Sequence, residues 1–153
     1  MTSEPLLLDA KAASGSAGVE KRPAQPVVAP ERGITVERCL PADVDAHRVA
    51  WAELSRRALE RNVFCEPSFA IPAARRLTDE GRALFLLVWD NRAAEQPRRL
   101  IGAVPIVAPR LPVGIQRIQV WKPVFSGLGT PLLDRDAAAD VLDALMAWVG
   151  ETY

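Results

Sequence analysis

Apolar and polar positions change their period several times along this chain of 153 residues. Residues 1–33 show no period: Ala, Ser, Gly and Pro dominate, charges of both signs are scattered, and Val27-Val28 is the only apolar pair in the later part. Such a segment buries too little apolar surface to offset the entropy of ordering it, so a disordered tail is expected, with Leu6 to Leu8 as incidental leucines in it. At Ile34 a period of two begins: Ile34, Val36 and Arg38 alternate with Thr35, Glu37 and Cys39, which predicts a first strand of about six residues ending before Pro41. The period then lengthens. Val44, His47, Trp51, Leu54 and Ala58 share one helical face, while Glu53, Arg56, Arg57 and Glu60 fall on the other, as a solvated surface would.

Asn62 tolerates the left-handed backbone that stops a helix, after which Val63 and Phe64 are expected to turn inward and Pro67 to open a second helix. That helix carries Phe69, Ala73 and Leu77 at four-residue spacing, and Pro72 either kinks it or marks its true start. Gly81 closes the segment. From Ala83 the run ALFLLVWD is nearly all apolar, as in a strand buried on both faces, and RLIGAVPIVAP follows as its antiparallel hairpin partner. Gly102 and Pro105 inside that second strand point to a bulge or an edge. A third antiparallel strand is predicted over residues 115–121, then an irregular stretch in which Gly127 and Gly129 give permissive backbone. Asp134 or Asp136 then caps a closing helix bearing Val141, Leu142, Leu145, Trp148 and Val149. The fold class is α/β (α+β): a mixed, mostly antiparallel sheet, two leading helices and one closing helix over 34–153.

Composition narrows the function classes. Nineteen basic and nineteen acidic residues cancel, so no global field draws in nucleic acid or an anionic membrane surface. Apolar runs fall short of the ~20 residues of a membrane span and the N-terminus lacks the basic lead of a secretion signal, which together suggest the cytoplasm. Cys39 and Cys65 are too few for a disulfide framework and not spaced as a metal pair, so both are expected as small buried side chains, with no metal site. For His47, the only histidine, nothing nearby in sequence supplies an orienting carboxylate and a nucleophile together, so a structural or surface role is expected. Neither a nucleophile–base pair nor a phosphate loop can be assembled, and no catalytic residue is assigned.

The element order, together with Trp51-x-x-Leu54, Asn62-x-Phe64-x-x-Pro67-x-Phe69, Gly102-x-x-Pro105 and Thr130-Pro131-Leu132 before a helix, resembles the GCN5-related N-acetyltransferase (GNAT) superfamily. Within it, these motifs resemble the CelD/BcsL-like acetyltransferases of cellulose biosynthesis. The resemblance implies an N-terminal lobe or truncated form of an acyl-CoA-dependent enzyme, incomplete relative to a full GNAT domain, with acyl transfer to an amine or hydroxyl carried mainly by a second GNAT-like lobe. It also implies a sheet left with an open edge, which invites that lobe or a second copy.

In such proteins acetyl-CoA or another acyl-CoA is held by backbone N–H groups and the positive end of a helix, through an R/Q-x-x-G-x-G/A loop. The corresponding stretch here is Ser126-Gly127-Leu128-Gly129-Thr130-Pro131, with Val124 in place of the basic or amide residue, Pro131 lacking a donor, and Asp134 and Asp136 adding negative charge. Gly127, Gly129 and Thr130 are thus expected as a vestigial cofactor loop, and Phe64, Glu66 and Trp121 as residues near the substrate groove. The alternative is a non-catalytic module that recognises substrate or packs on a catalytic partner.

Overall fold

The computed structural model describes residues 27–28, 33–77, 83–93, 95–107 and 118–152. The expected tail apart from 27–28, Leu6 to Leu8, Gly81 and most of the 115–121 strand lie outside them. In chain order the elements are β1 (Val27–Val28), β2 (Ile34–Cys39), a 3-10 turn (Val44–His47), α1 (Arg48–Arg57), a second 3-10 turn (Val63–Cys65) and α2 (Pro67–Arg76). β3 (Ala83–Asp90), β4 (Arg99–Val107), β5 (Gln119–Val120), β6 (Leu132–Leu133) and α3 (Ala138–Thr152) follow. This is the expected α+β class: the described residues form three α-helices and one open antiparallel sheet ordered β1-β2-β3-β4-β5, with β6 also on β4.

The sheet is the middle of three layers. β3 alternates strictly: Phe85, Leu87 and Trp89 join Trp51, Leu54 and Ile71 of the α1/α2 side, while Leu84, Leu86 and Val88 join Val141, Ala144 and Trp148 of α3. Both faces of β3 are therefore dry, which is why its sequence reads as one apolar run. Trp51, fully buried, sets its ring edge-on against Phe85 at 5.0 Å and anchors α1 to the sheet.

The glycine in β4 has a specific reason. The β3–β4 register shifts between Val88, opposite Gly102, and Trp89, opposite Leu100, so Ile101 is an extra residue, a bulge of the kind the sequence suggested. Ile101 and Gly102 consequently face α3 in succession. A Cβ on Gly102 would lie 2.6 Å from Val141 Cγ1 and 3.2 Å from Val88 Cβ, so only glycine lets α3 lie this close.

Several expectations are corrected. Val27 and Val28, placed in a disordered tail, pair with Val36 and Thr35 of β2. α1 ends at Arg57, not Asn62, because Ala58 bridges to Asp134 and the Leu59 N–H donates to the Leu133 carbonyl at 2.7 Å; pairing with β6 overrides helix propensity. Asn62 is extended (φ −136°, ψ 101°) and not left-handed. Val63 points to solvent at 60% exposure and Phe64 is half-buried, while Cys65 turns inward. α2 starts at Pro67 and continues past the exposed Pro72 without restarting. On the predicted helical stripes, Leu77 and Leu142 are exposed. Among the described residues, the third strand reduces to Gln119–Val120, and β6 lies in a stretch expected to be irregular.

Candidate functional site

The turn after α1 and the loop before β6 are brought together by two side chains, Asn62 and Cys65. Asn62, 1% exposed, donates from Nδ2 to the Thr130 carbonyl at 2.6 Å and to Thr130 Oγ1 at 3.3 Å, and its Oδ1 accepts the Phe64 N–H at 3.0 Å. The Cys65 thiol donates to the same Thr130 carbonyl at 3.2 Å, and the Cys65 carbonyl accepts Trp51 Nε1–H at 3.0 Å. A buried amide with its donors and acceptor spent is the condition under which burying it is tolerable. Phe64 stacks edge-on against Phe69 at 5.3 Å, and a Cβ on Gly127 would lie 3.7 Å from Phe64 Cε2. Of the expected cofactor residues, Gly127 thus lies beside Phe64 of the expected substrate set, while Thr130 is held by Asn62 and Cys65.

The other expected site residues stand apart. Trp121, expected near a substrate groove, is 8% exposed and belongs to the α1/α2-side core, with its backbone N–H donating to the Pro105 carbonyl at 2.8 Å. Glu66 is half-buried at the N-cap of α2, and its carbonyl accepts the Phe69 and Ala70 N–H groups. Gly129 faces Lys122, whose Cδ would be 3.4 Å from a Cβ there. Neither Gly127 nor Gly129 has a positive φ, and both have room for a methyl, so the permissive backbone expected of them is not used. The Ser126 hydroxyl donates to the Leu128 carbonyl. Beside this loop Val124 is 92% exposed and Phe125 77%, with Leu128 and Val63 also open to solvent.

The loop is separated from α3 by β6 and by a turn built on Asp134. Fully buried, Asp134 accepts Arg57 Nε and Arg99 Nη2 on Oδ2, each at 2.5 Å, and the Asp136 N–H on Oδ1 at 3.1 Å. Its own N–H donates to the Ile101 carbonyl at 2.8 Å. Burial pushes this carboxyl up, but the Arg57 and Arg99 guanidinium groups and the Asp136 N–H more than offset that and hold it below its ordinary value. Arg57, expected on a solvated face, is instead half-buried in this joint and also binds the Leu100 carbonyl. Asp134 therefore takes up the donors that gather ahead of α3.

A second constellation escaped the sequence reasoning. His47 Nε2 lies 3.4 Å from Oε1 of Glu37 on β2. Glu37, Cys39 and His47 present ligand-capable atoms that all lie within 4.8 Å of one another. The signal was Glu37-x-Cys39, whose spacing puts both side chains on one face of a strand, but nothing in sequence set His47 opposite them. Cys39 and Cys65 are both buried free thiols; burial, and for Cys39 also the Glu37 charge, pushes them up to about 12 and about 11 respectively. Neither is an activated nucleophile.

Comparison of the chain with protein-family models, with curated proteins and with solved structures finds no match. Among the described residues no helix is long and apolar enough to cross a membrane.

Proposed function

We propose that this chain is a CelD/BcsL-like acetyltransferase lobe of the GNAT type that serves as a recognition and packing module beside an acyl-CoA-dependent lobe. The order of elements and the motifs around Trp51, Asn62, Gly102 and Thr130 support the family. One observation carries the non-catalytic half of the reading: ahead of α3, where a pyrophosphate would need free donors, Arg57, Arg99 and the Asp136 N–H are bound to the chain's own Asp134 carboxylate. A cofactor phosphate entering there would have to displace a buried, doubly paired carboxylate, leaving it uncompensated. The exposed Val124 and Phe125 beside the Asn62–Thr130 joint are the apolar surface such a module would offer a neighbouring lobe.

Calorimetry with acetyl-CoA tests the reading. Absence of binding at millimolar ligand is expected. Micromolar binding would replace the module by the second reading, a working transferase site in which backbone donors stabilise the developing oxyanion of acyl transfer to an amine or hydroxyl.

A further inference from the structure

Glu37, Cys39 and His47 have no part in the function proposed above. Residues 37 and 39 lie two apart on β2 and so project from the same side of the sheet, the side on which Cys39 joins the α1/α2 core. His47 ends the 3-10 turn that leads into α1. A tetrahedral zinc ion with nitrogen and oxygen ligands at about 2.0–2.2 Å and sulfur at about 2.3 Å sets its ligand atoms roughly 3.3–3.6 Å apart. His47 Nε2 and Glu37 Oε1 already stand at 3.4 Å. With every ligand pair within 4.8 Å, the Cys39 sulfur has to close by little more than about 1 Å, the scale of a small side-chain rotation.

We infer that Glu37, Cys39 and His47 form a binding site for a zinc-class divalent cation, with a fourth position taken by water. One thiolate, one imidazole and one carboxylate form a borderline-soft donor set, which suits zinc over magnesium or calcium. The two oxygens of Glu37 are divided: Oε1 faces His47, while Oε2 accepts Arg98 Nη1 at 3.1 Å. Arg98 Cζ sits over the Trp89 ring at 4.1 Å from its centroid, and the His47 ring meets the same indole edge-on at 5.2 Å. One indole thus positions the imidazole and the guanidinium that orients the carboxylate, the kind of outer support that ligand sets need. The side chains of Glu37 and His47 are 24% and 15% exposed, so both border solvent.

Charge also balances. On uptake the Cys39 S–H proton leaves to solvent as the S–metal bond forms, no electrons are transferred, and the thiolate and carboxylate together cancel the two positive charges of the ion.

Titration of the full chain with cobalt(II), followed by displacement with zinc, tests the site. One equivalent should bind at micromolar metal, with the near-ultraviolet band of sulfur-to-cobalt charge transfer and the visible bands of tetrahedral cobalt. Cys39→Ser should abolish the sulfur band, Cys65→Ser should keep it, and Glu37→Gln and His47→Gln should each weaken binding at least tenfold. Circular dichroism reports whether each variant is folded; because Cys39 is buried, His47→Gln decides the matter should Cys39→Ser unfold. Absence of a saturable band at millimolar cobalt overturns the proposal, since the three side chains then form only an ion-paired joint between β2 and the turn. So does a sulfur band that depends on Cys65 and not on Cys39.

Discussion

The two faces of the sheet are built on different principles. Towards α3 the core is hydrocarbon and one indole: Ile34, Val36, Leu84, Leu86, Val88, Ile101, Val104 and Ile106 against Val141, Ala144 and Trp148. Towards α1 and α2 the core is as dry at its centre, yet its margins are threaded with polar groups: the buried Asn62 amide, Trp51 indole N–H and Asp134 carboxylate, and the half-buried Glu37–His47 pair. Burying a polar group is costly unless each donor and acceptor is met, and meeting them fixes geometry more tightly than apolar contact does. The α3 face therefore supplies stability, and the opposite face supplies placed chemical groups. Variants on the first should change how much folded protein there is; variants on the second should also change what the folded protein binds.

Trp148→Ala gives the largest effect. Removing a 4%-exposed indole from α3 should cost about 3–5 kcal/mol in urea unfolding and leave cobalt stoichiometry unchanged wherever the variant is folded. Loss of metal binding in the folded variant would break the division between the faces.

Asp134→Asn should cost about 3 kcal/mol, the low end for breaking a buried pair, because Arg99 still reaches solvent. It also carries a sign. The Asp134 carboxyl is lowered on folding, so its contribution is present in full above the ordinary value of 3.8 and is lost as pH falls through the lower folded value. Acid unfolding of the wild type should steepen below about 3.8, and Asp134→Asn should flatten that limb. An unchanged acid limb would place the acid sensitivity elsewhere.

Asn62→Ala should cost about 1–3 kcal/mol by stranding the Phe64 N–H and one of the bonds to the Thr130 carbonyl. It should also raise hydrogen exchange in the 126–130 loop, read by mass spectrometry, while exchange in α3 stays as in the wild type. Equal acceleration in both would mean that the joint is not local.

How far the chain could be read from its letters depended on whether a feature is local. The Ile34–Cys39, Ala83–Asp90 and Arg99–Val107 strands, and the bulge at Gly102, were legible because period, apolar run and a misplaced glycine are properties of neighbouring residues. α1 was legible on its buried face but not at its end, because the signal that stops it is Leu133, far away in sequence. Arg57 read as a surface charge for the same reason, since its partner Asp134 is 77 residues on. In the loop, the G-x-G letters were visible but not their use: no backbone angle there requires glycine, and Thr130 is held by Asn62. The carboxylate that faces His47, Glu37, lies on β2, so only the fold brings the pair together.

Two of the joints that hold the α1 side close almost the same stretch of chain: Arg57 to Asp134 across 77 residues, and Asn62 to Thr130 across 68. The β3–β4 hairpin, by contrast, closes over a short loop. Loop closure must come before the contacts that reward it, so the hairpin can form early and these joints last. Interactions made after the transition state govern how long the native chain survives and leave its rate of formation almost untouched. Asp134→Asn should therefore show its loss mainly as faster unfolding in stopped-flow measurements, with the refolding limb nearly superimposed on the wild type; a slowed refolding limb would place the joint in the folding nucleus. The carboxylate that joins Arg57 to Arg99 is in this sense the chain's latch against opening.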